Sequence, residues 1–180
     1  MTDIFDDIEA LEKIAVNLFY GWGYNVYRLE NQLRADDLAV RAKVGSLLGQ
    51  AREQVDKAEN EWRRSRMHTP TREKPLPDPE VVQGARRLEE LAREIGALEG
   101  QIRTAPAPEA DRMSNRYRRE GATLQALLQC DLALIGRAEA LRKLVDDADG
   151  AALLERAGEI GGGCKSIARS LRERRSLLQV

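Results

Sequence analysis

Apolar side chains recur every third or fourth position along most of this chain. The first stripe includes Ile4, Leu11 and Leu18, and the same phase continues to Trp62. Alternating steps of three and four are typical of a helix with one buried face. No run of alternating β-branched residues appears, so the pattern predicts no strand. The sequence therefore predicts an all-α protein.

Prolines and glycines divide the pattern into five predicted helices. Four of the six prolines lie in a linker over residues 68–79, and the other two lie in a linker over 104–108. Asp78 followed by Pro79 is a good helix start, because Asp accepts from a free backbone N–H and Pro suits the first helical position. Asp149 and Gly150 predict a turn. The predicted helices span residues 3–20, 24–67, 80–103, 109–147 and 151–177.

The length of the second predicted helix bears on the overall architecture. A continuous helix over residues 24–66 would be about 65 Å long, which exceeds the diameter of a compact domain of this size. We therefore expect a single elongated domain over residues 1–180, built as an antiparallel helical bundle or coiled-coil hairpin. Gly21 and Gly23 each cost about 1 kcal/mol in a helix interior. They predict a break or kink, and a continuous helix remains the alternative.

Aromatic side chains are concentrated in one short stretch, residues 19–27, which we call the aromatic segment. It contains five of the eight aromatic residues in the chain. Tyr and Trp provide large contact areas at little cost in rotamer entropy, as binding anchors do. The alternative is a packed corner of the bundle, and Trp22 does fall on the core stripe. The candidate partner-binding residues are Phe19, Tyr20, Trp22, Tyr24 and Tyr27.

Charge is balanced overall but uneven along the chain. The net charge is −1, so no global field attracts nucleic acid or an anionic membrane. Residues 1–12 carry five acids and no base, while the last predicted helix is basic. Acids near a helix start and bases near a helix end suit the helix dipole. The alternative is a basic contact with nucleic acid. The residues in question are Lys165, Arg169, Arg172, Arg174 and Arg175.

Location follows from the absence of targeting patterns in the sequence. The acidic start does not resemble a signal peptide, and no apolar run approaches the roughly 20 residues that span a bilayer. We expect a cytoplasmic protein with no membrane contact. The 23 arginines against six lysines are typical of a GC-rich bacterial genome.

Three features of the last two predicted helices could carry chemistry. Asp131 interrupts an apolar face, and we expect it to pair with an arginine of another helix or to lie at a slightly rotated, exposed position. The alternative is that it lines a functional pocket. Cys130 and Cys164 differ by about 9 Å in their height along a hairpin that turns at Gly150, which predicts free thiols rather than a disulfide. The glycines before Lys165 do not match a phosphate-binding loop, because residue 164 is cysteine and no strand precedes it. They predict a weak point or a close helix crossing. A reactive Cys164 is the alternative.

Metal and acid–base chemistry have few candidate residues. His68 is the single histidine and lies in the first linker. A di-iron bundle needs Glu-x-x-His motifs on two helices, and a zinc site needs paired Cys or His. We expect no metal, no cofactor and no catalytic residues.

Gly45 with Gly49, and Gly96 with Gly100, each place small residues one turn apart. They predict close helix packing, with a dimer face as the alternative.

These observations favour a non-enzymatic interaction, assembly or adaptor protein whose partner is another protein. Self-association is a second expectation, because long helices in a small chain leave apolar stripes uncovered. One alternative function is a helical sensor that binds a small molecule or cofactor, with the aromatic segment as the pocket wall. The other is a nucleic-acid-associated protein that uses the basic end, although nucleic acid is not the partner we expect.

Overall fold

The computed structural model describes residues 5, 7, 11, 13–15, 33–67, 69, 71–72, 75–105 and 121–179. This part of the chain is helical and contains no strand, which confirms the predicted all-α class. Residues 11 and 13–15 are also helical. The helices are α1 (Leu33–Arg66), α2 (Pro79–Arg103), α3 (Gly121–Val145), α4 (Gly150–Glu155) and α5 (Ala157–Gln179).

Helices α1 and α2 form an antiparallel hairpin. Near the end of α1, the indole Nε1 of Trp62 donates to the carbonyl of Val81, near the start of α2, over 3.0 Å. At the other end, Nη1 of Arg41 donates to the carbonyl of Ala105 over 2.6 Å. These two contacts fix the register of the two helices over their full shared length.

Helices α3 and α5 form a second antiparallel hairpin. Asp131, early in α3, pairs with Arg174, late in α5. Arg137 of α3 donates to the hydroxyl of Ser170, one turn earlier in α5. Helix α1 packs on α3, and α2 packs on α5, so the two hairpins join into a four-helix bundle.

The core of the bundle is apolar, and α3 lies deepest in it. All nine residues from 133 to 141 are buried. A helix that is buried on every side has neighbours on every side, and here these are α1, α5 and residues 5 and 11. The largest fully buried side chains are Phe5, Leu11, Leu48, Leu88, Leu91, Ile95, Ile102, Leu134, Ile135, Leu141, Leu153 and Ile160.

Two helix starts agree with the sequence interpretation. The Asp78 side chain accepts from the backbone N–H of Glu80 over 2.9 Å, and Pro79 is the first residue of α2. The Asp149 side chain accepts from the N–H of Ala152 over 2.8 Å at the start of α4. Each aspartate satisfies one of the backbone donors that a helix start leaves unpaired.

The last predicted helix, over residues 151–177, differs from the structure. It is two helices, α4 and α5, separated at Arg156. The short α4 crosses the end of the bundle and buries Leu153, after which the chain turns to run along α3. The guanidinium of Arg156 donates to the carbonyl of Leu144 over 3.3 Å and holds this corner. Some predictions concern positions outside the described residues. These are the helix starts at residues 3, 24 and 109 and the break near Gly21 and Gly23.

Trp62 occupies the junction of α1, α2 and α4. A Cβ built on Gly84 would lie 2.7 Å from its ring, and one built on Gly150 would lie 2.9 Å from it. Real Cβ atoms do not approach so closely, so both positions need glycine for the ring to fit. The guanidinium of Arg66 lies 4.2 Å from the ring centroid, in a cation–π contact. Trp62 therefore ties three helices together at one end of the bundle.

Candidate functional site

The aromatic segment lies outside the described residues, and so do Phe19, Tyr20, Trp22, Tyr24 and Tyr27 within it. The structure does describe the chain on both sides of the segment. Ala15 is fully buried before it, and α1 begins at Leu33 after it. Ala15 shares one core cluster with Val40 and Val44 of α1. The chain on both sides of the segment therefore reaches the core of the bundle.

The preceding flank packs on α3 and α5, and we call it the strap. Its described residues are Phe5, Asp7, Leu11 and 13–15. The Phe5 ring lies against Gly163 of α5, where an added Cβ would be 2.8 Å from its Cζ atom. The strap backbone at Leu11 lies against Gly136 of α3, where an added Cβ would be 2.5 Å from the Leu11 carbonyl oxygen. Both glycines are buried, and both positions admit the strap because they lack a side chain.

Arg137 joins the strap to the bundle through hydrogen bonds. Its Nε donates to the carbonyl of Phe5 over 2.9 Å, and its Nη1 donates to the hydroxyl of Ser170 on α5. The side chain is only 8% exposed. Hydrogen bonds from a charged donor are about twice as strong as neutral ones, so this one arginine links three elements. Sequence reasoning missed it. The available signal was a charged residue inside the apolar run that surrounds Gly136.

The predicted partner of Asp131 is confirmed as an arginine of another helix. Nε of Arg174 donates to the Asp131 carboxylate over 2.6 Å, and the two side chains are only 6% and 13% exposed. Arg174 therefore faces the interior of the α3/α5 hairpin. The other members of the basic set are exposed on α5, namely Lys165, Arg169, Arg172 and Arg175.

Both cysteines are free thiols, as predicted. Burial is the main reason that the pKa of Cys164 rises to about 12, and the charge of Glu94 adds to it. Burial likewise raises the pKa of Cys130 to about 11, with Asp131 adding to the shift. Both thiols are therefore protonated at neutral pH. The alternative of a reactive Cys164, activated by Lys165, is not supported, because nucleophilic chemistry needs the thiolate.

The glycine pairs on α1 and α2 accommodate charged side chains. A Cβ on Gly45 would lie 3.7 Å from the Arg103 side chain, and one on Gly49 would lie 3.5 Å from the Glu99 carboxylate. Arg52 in turn lies over Gly96, with its Cδ 3.2 Å from the Cβ position. An open groove of about 560 Å³ follows these contacts along the hairpin. Side chains of the opposite helix therefore lie over Gly45, Gly49 and Gly96, whereas a Cβ on Gly100 would meet nothing within 4 Å.

The glycines of α5 do not interrupt the helix. Helix α5 is continuous from Ala157 to Gln179 through Gly161, Gly162 and Gly163. Only Gly163 meets a close neighbour, the Phe5 ring, and a Cβ on Gly161 or Gly162 would meet nothing within 4 Å. The predicted weak point is therefore wrong, and the close contact at Gly163 is with the Phe5 ring rather than with a crossing helix.

Two further features are absent from the described residues, a metal-binding cluster and a membrane-spanning helix. In that part of the chain, no three His, Cys, Asp or Glu side chains come together as a set that could bind a metal ion. His68 lies outside it. No described helix combines the length and the apolar character needed to cross a membrane.

Comparison with protein-family models, with curated proteins and with solved structures finds no significant match to this chain.

Proposed function

We propose that this protein is a non-enzymatic interaction protein of the adaptor or assembly type, which binds another protein through its aromatic segment. The observation that carries the proposal is the packing of the chain on either side of the segment. Ala15 before it and Val40 after it are buried in one core cluster. A segment tethered at both ends loses less conformational freedom on binding than a free tail does.

The composition of the segment supports this role. Tyr and Trp are enriched among the few interface residues that carry most of the binding free energy. The segment contains three tyrosines and a tryptophan, and it also contains two glycines. Glycine lets a partner's backbone approach closely. This combination suits a protein surface better than it suits a catalytic centre.

The described polar clusters also favour a non-enzymatic function. Arg174 bonds to Asp131, and Arg137 bonds to Phe5 and Ser170, so these buried groups serve contacts within the fold. Both cysteine thiols have raised pKa values and are protonated at neutral pH.

The test is affinity capture with three tagged proteins in parallel. These are the wild type, a Tyr20→Ala/Tyr24→Ala/Tyr27→Ala variant, and Leu76→Ala as the matched control. Leu76 is 78% exposed in the connection between α1 and α2, so the control removes an accessible apolar side chain from another site. Each captured protein is quantified by mass spectrometry, and each variant is first shown to be folded by circular dichroism.

We expect a stoichiometric partner that the wild type and Leu76→Ala retain and the triple variant loses. Loss of one hot-spot residue costs at least about 2 kcal/mol, or roughly 30-fold in affinity. Capture of the chain itself identifies the partner as a second copy. A triple variant that binds as the wild type does would exclude these tyrosines as the site. A triple variant that does not fold would assign the segment to the core.

A basic face on α5 favours nucleic acid as a second candidate partner. Lys165, Arg172 and Arg175 are exposed on this helix. Because α5 contributes Ile167 and Arg174 to the interior, truncation would damage the fold, and charge reversal is the better test. A Lys165→Glu/Arg172→Glu variant should lose binding to duplex DNA, and wild-type binding should weaken steeply with salt. Wild-type binding that does not depend on salt would exclude this candidate.

A further inference from the structure

The strap differs from the four long helices in how it is attached. Helices α1, α2, α3 and α5 contact one another directly, each with two neighbours in the bundle. The strap lies against α3 and α5 through Leu11 and Phe5. We propose that the strap is a detachable segment, which docks between α3 and α5 and can leave them without unfolding the bundle.

The two contact glycines are the first argument. At Gly136, all three of the nearest atoms that an added Cβ would meet belong to Leu11. At Gly163, two of the three belong to the Phe5 ring. Glycine lowers helix stability, so its presence in buried positions of α3 and α5 needs a compensating contact. The strap is that contact at both positions.

The polar attachment is the second argument. The strap contributes a backbone carbonyl, that of Phe5, to the hydrogen bond with Arg137. When the strap leaves, water can take the place of this carbonyl, and Arg137 keeps its bond to Ser170 on α5. The buried pair of Asp131 and Arg174 is likewise made between α3 and α5. Release of the strap therefore leaves both links between α3 and α5 in place.

The consequence concerns the aromatic segment, which begins four residues after Ala15. A docked strap anchors the chain at Ala15, four residues before the segment, and a released strap removes this anchor. This consequence rests on the proposed function, whereas release of the strap itself does not.

The experiment is hydrogen–deuterium exchange on Gly136→Ala, with Gly162→Ala as the matched control and no partner present. Both changes add one methyl group to a helix. At Gly136 the methyl would lie 2.5 Å from the Leu11 carbonyl, a backbone atom that cannot rotate away, and at Gly162 it meets nothing within 4 Å. The reporter is the Leu11 amide, which donates to the Asp7 carbonyl over 3.0 Å in the docked strap.

We expect the Leu11 amide to exchange at least about 10-fold faster in Gly136→Ala, with the amides of α1, α2 and α5 unchanged. Gly162→Ala should leave the strap as it is in the wild type. Phe5→Ala, which changes no bundle helix, should also accelerate exchange in the strap alone. The proposal is overturned if α3 and α5 lose protection by the same factor as the strap, or if the strap is unaffected in both Gly136→Ala and Phe5→Ala. Because no partner is present, neither result depends on what the aromatic segment binds.

Discussion

The two hairpins of the bundle differ in where their charged side chains lie, at the surface in one and in the interior in the other. In the α1/α2 hairpin, Arg63 faces Glu89 over 3.6 Å, and the two side chains are 43% and 52% exposed. In the α3/α5 hairpin, Arg174 meets Asp131 over 2.6 Å, and the arginine is 6% exposed. The first hairpin follows the common plan of an apolar stripe with a charged outer face. The second contains a polar network within its interior.

This difference shows that ion pairs of the same chemistry contribute unequally to a fold. Water screens an exposed pair and can solvate either partner alone, so the pair contributes about 0–1 kcal/mol. A buried pair has lost its water, and each charge depends on the other. The α1/α2 hairpin should therefore tolerate changes to its charges, and the α3/α5 hairpin should not.

The largest expected effect follows from breaking the buried pair. Asp131→Ala leaves the Arg174 charge buried opposite a methyl group, and we expect the free energy of unfolding to fall by about 3–5 kcal/mol. Glu89→Ala, the matched change in the α1/α2 hairpin, removes a carboxylate that is 52% exposed and should cost about 1 kcal/mol or less. Urea denaturation followed by circular dichroism measures both values. Equal losses in the two variants would show that burial does not change how much an ion pair contributes to the free energy of unfolding.

A double variant sharpens the same comparison. Asp131→Leu with Arg174→Met removes both charges and keeps similar volumes. Replacing a buried ion pair by apolar residues is often neutral or stabilising, so the double variant should recover most of what Asp131→Ala loses. If it remains as unstable as Asp131→Ala, the loss comes from the shape of the site and not from an unpaired charge.

Glycine substitutions provide the next largest effect. Gly84→Ala places a methyl group 2.7 Å from the ring of Trp62, at the junction of α1, α2 and α4. Overpacking of this kind costs about 1–3 kcal/mol. Gly100→Ala, in the same helix, meets nothing within 4 Å and should stabilise by up to about 1 kcal/mol, because Ala favours helix over Gly. Thermal unfolding should therefore show a lower Tm for Gly84→Ala and a higher Tm for Gly100→Ala. Shifts of the same sign would contradict the assignment of Trp62 to a packed junction.

The sequence predicted the α1/α2 hairpin better than the α3/α5 hairpin, for a physical reason. A one-sided apolar stripe and a cap such as Asp78 before Pro79 are local patterns. The break at Arg156 and the deep burial of α3 depend on contacts with distant elements. Asp131 was predictable, because a charge on an apolar face needs a partner.

The candidate site was only partly predictable from the sequence. Arg137 donates to a backbone carbonyl 132 positions away. Any residue type supplies such a carbonyl, so no sequence pattern identifies Phe5 as the partner of Arg137. Gly163 belonged to a predicted weak point and Gly136 to no predicted feature, because the role of both glycines depends on the strap that packs against them. The role of the aromatic segment remains a prediction, because it depends on a partner that the chain alone does not specify.

The smallest expected effect is an alkaline loss of stability that arises only in the α3/α5 hairpin, since both cysteines of the chain lie there. The pKa of Cys164 rises from an ordinary value of 9.0 to about 12 in the folded protein, mainly through burial. A group with a raised folded pKa stabilises the fold fully below its unfolded pKa, and this stability is lost as the pH rises toward the folded pKa. The window is therefore pH 9 to 12.

Within this window, each pH unit above 9 should cost the wild type about 1 kcal/mol through Cys164. Urea denaturation at pH 8, 9 and 10 measures the dependence. Cys164→Ala lacks the thiol and should show a shallower decline over the same range. If the two proteins decline in parallel, the Cys164 thiol ionises as readily in the folded state as in the unfolded chain, and the interior of the α3/α5 hairpin is open to water at this position.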